Sequence, residues 1–376
     1  MKKILVLGPV PPPYGGIASV MQALLQSDLK TKYDLELFAR HSVYPGGYES
    51  LLWRNVFRLK RFLAFFRKIF PKKYDLVHIH SDFNGGFPGT IVFMMLTRLA
   101  GVKLLLHLHG TDWRFWHTTR PWPRRLRNAL AFRIPHAIIV LYGLWQRELL
   151  SLVPSQKVYV VGNAIEDAPK PDASAVDATK GELGLGPHDF VVLTVGFVGR
   201  RKGALNTLAA IPALARHNPS IKFVFVGGEE FPGESQPVLE KIRTDHLEPW
   251  VRVVGEVPRA RVASYLACAD VFLLPSLQEG MPIALLEALR AGLPVIASRV
   301  GAMPEMIEHG KTGLLIAPGK PEDIVEAVKS IMDDPELRAR LARNGRALFE
   351  EQYEVGACVK QIGKIYQSMC CPERLV

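Results

Sequence analysis

Two glutamates, Glu279 and Glu287, lie eight positions apart and could contact one ligand together. An apolar run before Glu279 predicts a strand over 270–275, and the residues after it predict a helix over 282–290. Glu279 would then follow the strand at the edge where open α/β sheets bind ligands, and Glu287 would lie inside the helix. The amides of the first helical turn favour negative charge, so the arrangement suits a nucleotide sugar.

The segment that contains both glutamates, LLPSLQEGMPIALLEALRAGLPVIAS, resembles the retaining, nucleotide-sugar-dependent glycosyltransferases of family four, which have two glutamates separated by seven residues. The resemblance implies that Glu279 holds hydroxyl groups of the donor sugar and that Glu287 holds the ribose. It also implies that Gly280, Met281 and Ile283 offer main-chain N–H groups to the donor.

A second stretch, LTVGFVGRRKGALNTLAAI, reads as a strand, a glycine-rich loop and a helix. It is similar to the family's phosphate-binding stretch, in which Gly-Arg-Leu precedes Lys-Gly, but Phe197 stands where the family has arginine. We expect Arg200, with Arg201 as the alternative, to supply the second positive charge. Cations are disfavoured at the positive end of a helix, so an anion is expected to compensate them. The positions that match the family are Gly196, Lys202 and Gly203.

Four further residues are expected to approach the donor. Gly15 and Gly16 lie between the first predicted strand and a helix from residue 17, without the GxGxxG spacing of nicotinamide enzymes. Glycines there form a tight turn or let the backbone approach a phosphate. The resemblance favours the second interpretation, because the family has a Gly-Gly pair beside the donor phosphates and the acceptor. Gly255 and Val257 follow another predicted strand and are expected near the base.

Histidines at two strand ends allow three interpretations, of which the ordinary one for His78 and His107 is a core or cleft-edge position without a metal. His109 matches a family histidine that faces the cleft, where a neutral imidazole could donate to the sugar or to a leaving-group oxygen. His78 with His80, and His107 with His109, also form two His-x-His pairs, and imidazole suits zinc, iron and nickel. A metal-dependent hydrolase is therefore the alternative enzyme. The family needs no metal, so we expect no metal or other cofactor, with the nucleotide sugar as a substrate.

The rest of the chain must position these residues, and its 376 residues suit two domains. β-branched runs alternate with helical stretches, which predicts α/β domains with parallel sheets. The resemblance implies two Rossmann-like domains facing a central cleft, the GT-B fold. We expect an acceptor-binding domain over 1–165 with a crossover helix at about 350–376, a linker over 166–188, and a nucleotide-sugar-binding domain over 189–349. The predicted strands are 3–7, 35–38, 76–80, 103–109, 137–141, 158–161, 191–195, 222–226, 251–254, 271–274, 294–297 and 314–316.

Composition indicates a soluble protein, with 48% hydrophobic and 22% charged residues and no apolar run of membrane-spanning length. The four cysteines have neither zinc-ligand spacing nor the pattern of a small disulfide scaffold, which favours a reducing cytosol.

The net charge of +11 is concentrated in two segments, 51–73 and 113–133. The first has an apolar helical stripe at residues 52, 56, 59, 63, 66 and 70, with Arg61, Lys68 and other cations expected on the opposite side. The stripe could pack on the protein's own sheet or lie on an anionic bilayer, and its width favours the bilayer. A nucleic-acid-binding protein is a further alternative, but no DNA- or RNA-binding signature is visible, so we expect no nucleic-acid partner.

Taken with the resemblance, these patterns predict a retaining glycosyltransferase at the inner face of the cell membrane. Its acceptor would be a glycan or a lipid-linked glycan in bacterial surface polysaccharide assembly.

Overall fold

A computed structural model describes residues 1–9, 16–39, 51–82, 87–110, 121–151, 153 and 158–371. The chain divides into two compact units, Met1–Glu166 with Val355–Val376, and Asp167–Glu354. Each unit contains a six-stranded parallel sheet with helices around it, which confirms the predicted α/β class. Among the described helices, none is both long and apolar enough to cross a bilayer.

The first unit is built from strands with buried apolar residues and from helices that connect them. Its strands are β1 (Lys2–Gly8), β2 (Tyr33–Ala39), β3 (Leu76–Ser81), β4 (Lys103–Leu108), β5 (Ala137–Val140) and β6 (Val158–Val160). Its helices are α1 (Gly16–Gln26), α2 (Leu29–Lys32), α3 (Leu51–Ile69), α4 (Phe87–Leu99), α5 (Trp122–Ala131), α6 (Gly143–Leu150) and α15 (Val355–Cys370).

The strand order in the first unit is β2-β1-β3-β4-β5-β6, and every pairing is parallel. Helix α15 packs with α1 against one face, where Ile362 and Tyr366 join Met21 in the core. Helix α1 leads from β1 to β2 in one direction along the sheet, whereas α3, α4 and α5 lead to strands in the opposite direction. Right-handed crossovers therefore place these three helices on the other face. Ring contacts confirm this layer, with 4.9 Å between the centroids of Phe62 and Phe93.

Helix α3 does not bury the whole apolar stripe predicted from its sequence. Phe65 and Ile69 are fully buried, because Phe65 packs on Phe38 of β2. Leu59 and Leu63, which belong to the predicted stripe, are 59% and 48% exposed. The aromatic contact with β2 therefore selects a packed face that differs from the predicted stripe.

Two cations of α3 lie opposite the exposed Leu59 and Leu63, as the sequence predicts, but they contact the protein instead of solvent. Arg61 donates to the main-chain oxygen of Ala39, and Lys68 pairs with Glu36 of β2. These two side chains lie on the protein side of the helix because β2 offers them acceptors. Other cations of the segment, Arg58, Lys60 and Arg67, remain exposed.

The second unit repeats the architecture without repeating the sequence. Its strands are β7 (Phe190–Val195), β8 (Ile221–Val226), β9 (Val251–Gly255), β10 (Val271–Leu274), β11 (Val295–Ser298) and β12 (Leu314–Ile316). Its helices are α7 (Ala173–Leu183), α8 (Ala204–His217), α9 (Gln236–Thr244), α10 (Arg259–Ala267), α11 (Ile283–Ala291), α12 (Met303–Met306), α13 (Pro321–Asp333) and α14 (Pro335–Leu348), with a π-helical turn at Phe349–Tyr353.

The strand order in the second unit is β12-β11-β10-β7-β8-β9, again parallel throughout. The segment 166–188, which the sequence predicts as a linker, contains helix α7. Thr179 and Leu183 of this helix are buried, and α7 contacts α10 of the same unit. Gly184 ends the helix with a left-handed φ of 64°.

Candidate active site

The loops that follow β7, β8, β9 and β10 lie along one edge of the second sheet, because the strands are parallel. This edge is the carboxyl-end edge at which open α/β sheets bind ligands. It carries most of the residues selected from the sequence: Gly196, Arg200, Lys202 and Gly203 after β7, Gly255 at the end of β9 with Val257 after it, and Glu279, Gly280, Met281 and Ile283 after β10.

Lys202 and Glu279 form a close ion pair at this edge. Lys202 Nζ lies 2.5 Å from Glu279 Oε1, and Ser276 Oγ donates to the same oxygen at 2.8 Å. Both charged side chains are largely withdrawn from solvent, with 12% of Lys202 and 6% of Glu279 exposed. Lys202 stands two residues before α8, and the carboxylate of Glu279 compensates its charge beside the positive end of this helix.

The loops after β7 and β10 are held against each other by main-chain contacts. Leu277 N donates to Arg201 O at 2.8 Å. Gly203 has a φ of 77°, and a Cβ built on it would lie 2.1 Å from Pro275 O. Only glycine combines this conformation with so close an approach. Gly203 therefore joins the loop of Lys202 to the loop of Glu279.

Arginines on the β7 loop differ in what they contact. Arg200 is exposed, whereas Arg201 is partly buried and donates through Nε to Glu230 Oε2 at 2.6 Å. Arg201 Nη1 also lies 3.9 Å from Glu279 Oε2. The structure thus brings Arg201 to the carboxylate, although the sequence analysis placed Arg200 first.

Glu287 lies inside α11 and is 8% exposed. Burial raises the pKa of its carboxyl group, and the positive charges of Arg259 and Arg290 oppose that rise. Arg259 Nη2 lies 3.7 Å from Glu287 Oε1. Arg259 is the first residue of α10, directly after the loop that carries Val257. No sequence pattern singles out Arg259, whose only signal is a cation shortly after that loop.

The other predicted donor contacts of this unit occupy the turn before α11. Gly280 O accepts from Ala302 N at 2.8 Å, Met281 is buried, and Ile283 is the first residue of α11. A Cβ built on Gly301 would lie 2.4 Å from Glu279 O, so this glycine lets a further loop close against the turn.

In the first unit, Gly15 lies outside the described residues, and Gly16 is the first residue of α1. His109 directly follows β4, and its main-chain N–H donates to Ser81 O at 2.7 Å. Its side chain is 2% exposed, and Nε2 lies 3.0 Å from His80 Nδ1. His109 is therefore part of a buried group of imidazoles that also contains His78, His80 and His107.

These four imidazoles are neutral because they are buried. Burial lowers the pKa of His78 and of His109 to about 3, and it holds the pKa of His80 and of His107 well below the usual range. Tyr366 Oη lies 2.7 Å from His78 Nδ1. His78 Nε2, His80 Nε2 and both ring nitrogens of His107 have no hydrogen-bond partner among the described residues.

Three members of the histidine group lie close enough together to converge on one metal ion. Ring nitrogens of His78, His80 and His107 lie within 4.8 Å of one another. The ring of His107 is parallel to that of His78, with an interplanar angle of 1°, and stacks on that of His109.

Comparison with known proteins places both units in sugar transfer. Residues 14–168 match the family model described as Glycosyltransferase Family 4, and residues 176–348 match the model described as Glycosyl transferases group 1. The chain is a family 4 glycosyltransferase. This assignment favours neither the hydrolase nor the nucleic-acid-binding alternative.

Curated relatives of this glycosyltransferase are named for the transfer of different sugars. The alpha-D-kanosaminyltransferase of Streptomyces kanamyceticus is 28% identical over 335 residues, which cover 85% of this chain and 82% of that enzyme. The UDP-Gal:alpha-D-GlcNAc-diphosphoundecaprenol alpha-1,3-galactosyltransferase of Escherichia coli is 28% identical over 323 residues, covering 83% of this chain and 80% of the relative.

Solved structures show the same fold. HepE of Anabaena in complex with UDP superimposes with a TM-score of 0.77 at 20% identity, covering 98% of this chain and all of that one. The complex of the same protein with UDP-glucose gives a TM-score of 0.76 at 21% identity, with the same coverage of this chain. The glycosyltransferase therefore has the GT-B fold that the sequence analysis expected.

Replacing Gly203 by alanine is expected to destabilise the second unit of the glycosyltransferase. The left-handed backbone costs an L-residue about 1–2 kcal/mol, and the clash with Pro275 O adds to that cost. Gly292 is the matched control, because it has a similar φ of 72° with no atom within 4 Å of a built Cβ. Urea denaturation should show a larger loss in the free energy of unfolding for Gly203→Ala than for Gly292→Ala. Equal losses would mean that the loops are free to separate.

The histidine group should make the first unit sensitive to acid. The imidazoles have folded pKa values below their unfolded value of 6.5, so the unfolded state binds more protons at lower pH. Their contribution to stability is complete above pH 6.5 and is lost as the pH falls toward about 3, by up to about 1.4 kcal/mol per pH unit for each histidine.

The variant His107→Leu removes one of these groups, and His188→Gln, at an exposed position, is its control. Thermal denaturation between pH 7.5 and pH 5 should show a shallower loss of Tm in His107→Leu than in the wild type or the control. Identical slopes in all three proteins would contradict the assigned neutrality of the buried rings.

Proposed function

We propose that this glycosyltransferase moves a sugar from a nucleoside diphosphate sugar to an acceptor hydroxyl group, with retention of anomeric configuration. The observation that carries the proposal is the ion pair of Lys202 and Glu279 at the carboxyl edge of the second sheet, next to the start of α8. Cation, carboxylate and helix amides together match a donor that has both phosphates and sugar hydroxyls.

In this mechanism Lys202, an arginine of the same loop and the first-turn amides of α8 stabilise the charge that builds up on the leaving diphosphate. Low exposure strengthens that effect, since a charge interacts more strongly where water is excluded. Glu279 accepts hydrogen bonds from hydroxyl groups of the donor sugar. Ser276 and Lys202 hold the carboxylate in one orientation for that purpose.

Glu287 holds the ribose of the donor, and Arg259 orients its carboxylate. Gly196, Gly203, Gly255 and Val257 let main chain approach the nucleotide, and Gly280, Met281 and Ile283 offer N–H groups to the sugar and phosphates. No metal or other cofactor takes part in this scheme.

The outer layer of the first unit suggests where the acceptor lies. Helices α3, α4 and α5 contain no aspartate or glutamate. Exposed apolar side chains recur on all three helices among exposed cations such as Lys60, Arg67 and Arg125: Leu59 and Leu63 on α3, Met95 and Leu99 on α4, and Trp122, Leu126 and Leu130 on α5. We propose that this layer, called here the basic helical layer, lies on the anionic inner face of the cell membrane.

Two relatives support an acceptor at a membrane. The E. coli galactosyltransferase is named for a diphosphoundecaprenol acceptor. The alpha-monoglucosyldiacylglycerol synthase of Acholeplasma laidlawii, 26% identical over 310 residues, is named for a lipid product. We therefore propose a lipid-linked glycan acceptor in bacterial surface polysaccharide biosynthesis, with the enzyme peripheral to the membrane on its cytoplasmic side.

A thermal-shift screen of UDP-, GDP- and ADP-sugars tests the donor class directly. A donor that raises the Tm is then incubated with lipid-linked acceptors, and NMR of the product gives the anomeric configuration. An inverted product would contradict retention. A screen in which no nucleotide sugar changes the Tm would contradict the proposal as a whole.

Glu279→Gln should abolish transfer and leave the fold intact. The amide keeps the shape of the side chain but offers one acceptor oxygen in place of two, and it no longer neutralises Lys202. Initial rates with the donor from the screen should fall by about 100-fold or more, as for other preorganised polar groups. Far-UV circular dichroism and Tm serve as folding controls. Full activity would remove this carboxylate from the mechanism.

The basic helical layer predicts binding to anionic vesicles. Lys60→Glu/Arg67→Glu reverses two exposed cations of α3, and Arg216→Glu/Arg243→Glu changes the net charge equally on the second unit. At about 1 kcal/mol for each cation, the first variant should bind vesicles containing phosphatidylglycerol at least about 30-fold more weakly in flotation assays. The control variant should bind like the wild type.

Equal losses in the two double variants would show that net charge alone drives association. If the wild-type enzyme does not bind the vesicles but binds duplex DNA in a salt-dependent manner, the result would favour a nucleic-acid-binding surface instead.

A further inference from the structure

Arg201 belongs to a group of four charged side chains drawn from three neighbouring loops. Arg201 and Lys202 follow β7, Glu230 follows β8, and Glu279 follows β10. Arg201 Nε lies 2.6 Å from Glu230 Oε2, and Arg201 Nη1 lies 3.9 Å from Glu279 Oε2. The two cations thus converge on the carboxylate of Glu279 from adjacent positions of one loop.

The guanidinium of Arg201 is fixed in place but not saturated. Besides its contacts with the two glutamates, Nη1 donates to Gln278 O at 3.3 Å. A guanidinium has five N–H donors, and three of those in Arg201 have no partner among the described residues. Its side chain is 21% exposed, so part of it remains open to a ligand.

We propose that Arg201 binds the diphosphate of the donor beside Lys202, and that Glu230 holds the guanidinium in position until the donor arrives. This inference rests on the proposed function and adds to it the identity of the second cation. It also assigns a role to Glu230, which no sequence pattern singled out. Arg201 suits the task because its planar fork can donate two parallel hydrogen bonds to phosphate oxygens.

The charges in the group explain why Glu230 matters. Two cations face two carboxylates, so the group is neutral before the donor binds. A diphosphate brings negative charge and competes with the carboxylates for the same cations. Glu279 is 6% exposed and is held by Ser276 as well as by Lys202, whereas Glu230 is 30% exposed. Glu230 is therefore the carboxylate that can turn to water when the diphosphate binds.

Glu230 consequently opposes donor binding while it orients Arg201. Removing its charge leaves Arg201 free to face the phosphates, and the affinity for a diphosphate should hold or rise. Removing the charge of Arg201 should lower that affinity. A purely structural ion pair behaves differently, because the loss of either partner then disturbs the loop in the same way.

The test measures binding by isothermal titration calorimetry. UDP, GDP and ADP are titrated into the wild type, and the tightest binder is compared with its nucleoside in the variants Arg201→Gln, Arg200→Gln and Glu230→Gln. We expect Arg201→Gln to lower the affinity for the diphosphate by about tenfold or more, as for a lost charged hydrogen bond. Its affinity for the nucleoside should be unchanged. We expect Glu230→Gln to bind the diphosphate at least as tightly as the wild type.

Arg261 and Glu182 form the matched control, since they make a pair of the same type at 2.6 Å in the same unit. Arg261→Gln and Glu182→Gln should bind the diphosphate like the wild type, and the Tm of each variant checks folding.

Three results would overturn the inference while leaving the proposed function intact. They are an unchanged affinity in Arg201→Gln, an equal loss in Arg201→Gln and Glu230→Gln, and a larger loss in Arg200→Gln than in Arg201→Gln. Failure of all three nucleoside diphosphates to bind the wild type would instead overturn the proposed function, and this inference with it.

Discussion

The ion pair between Lys202 and Glu279 is the interaction on which the candidate site depends. A cation beside the amino end of a helix faces the positive end of the helix dipole and needs a compensating charge. Here the carboxylate comes from the loop after β10, at 2.5 Å, and both side chains are largely buried. Neither charge could lie there alone, because an unpaired buried charge costs several kcal/mol. The pair therefore requires that the loops after β7 and β10 lie together.

The sheet and two glycines meet that requirement. β7 and β10 are hydrogen-bonded neighbours in the sheet although 75 residues separate Val195 from Val271 and β8 and β9 intervene in sequence. Their carboxyl ends consequently emerge side by side. Gly203 then lets its loop approach Pro275 O, and Gly301 lets a third loop approach Glu279 O. A side chain at either glycine would force the loops apart. The ion pair between Lys202 and Glu279 therefore depends on glycine at both positions.

Much of this arrangement could be predicted from the sequence. Each of the twelve strands lies within two residues of its predicted bounds, because buried parallel strands appear as short runs of apolar and β-branched residues between turns. The placement of Glu279, Lys202 and Gly203 at one sheet edge follows from those strands. Sequence patterns cannot predict which of two similar residues contributes to the site where a tertiary contact decides it. It could not separate Arg200 from Arg201, because only the partner Glu230 on another loop does so.

Helix α3 shows the same limit on a larger scale. Its sequence has apolar residues over more than half of its circumference, so more than one face could pack. The aromatic contact between Phe65 and Phe38 decides the face, and β2 supplies acceptors for Arg61 and Lys68. Both determinants lie on a strand that precedes the helix by many residues. Leu59 and Leu63 are exposed because a different face of α3 packs on the protein. The exposed apolar surface of α3 therefore depends on the contacts that its buried face makes.

The two units respond to burial in opposite ways. In the second unit, burial strengthens an interaction between full charges, because each carboxylate has a cation within reach. In the first, His78, His80 and His107 have no acidic partner among the described residues, so burial removes their charge. Proton concentration therefore acts on these rings of the first unit. Anions that compete for Lys202 and Arg201 act on the second, where salt screens the partly buried cations only weakly.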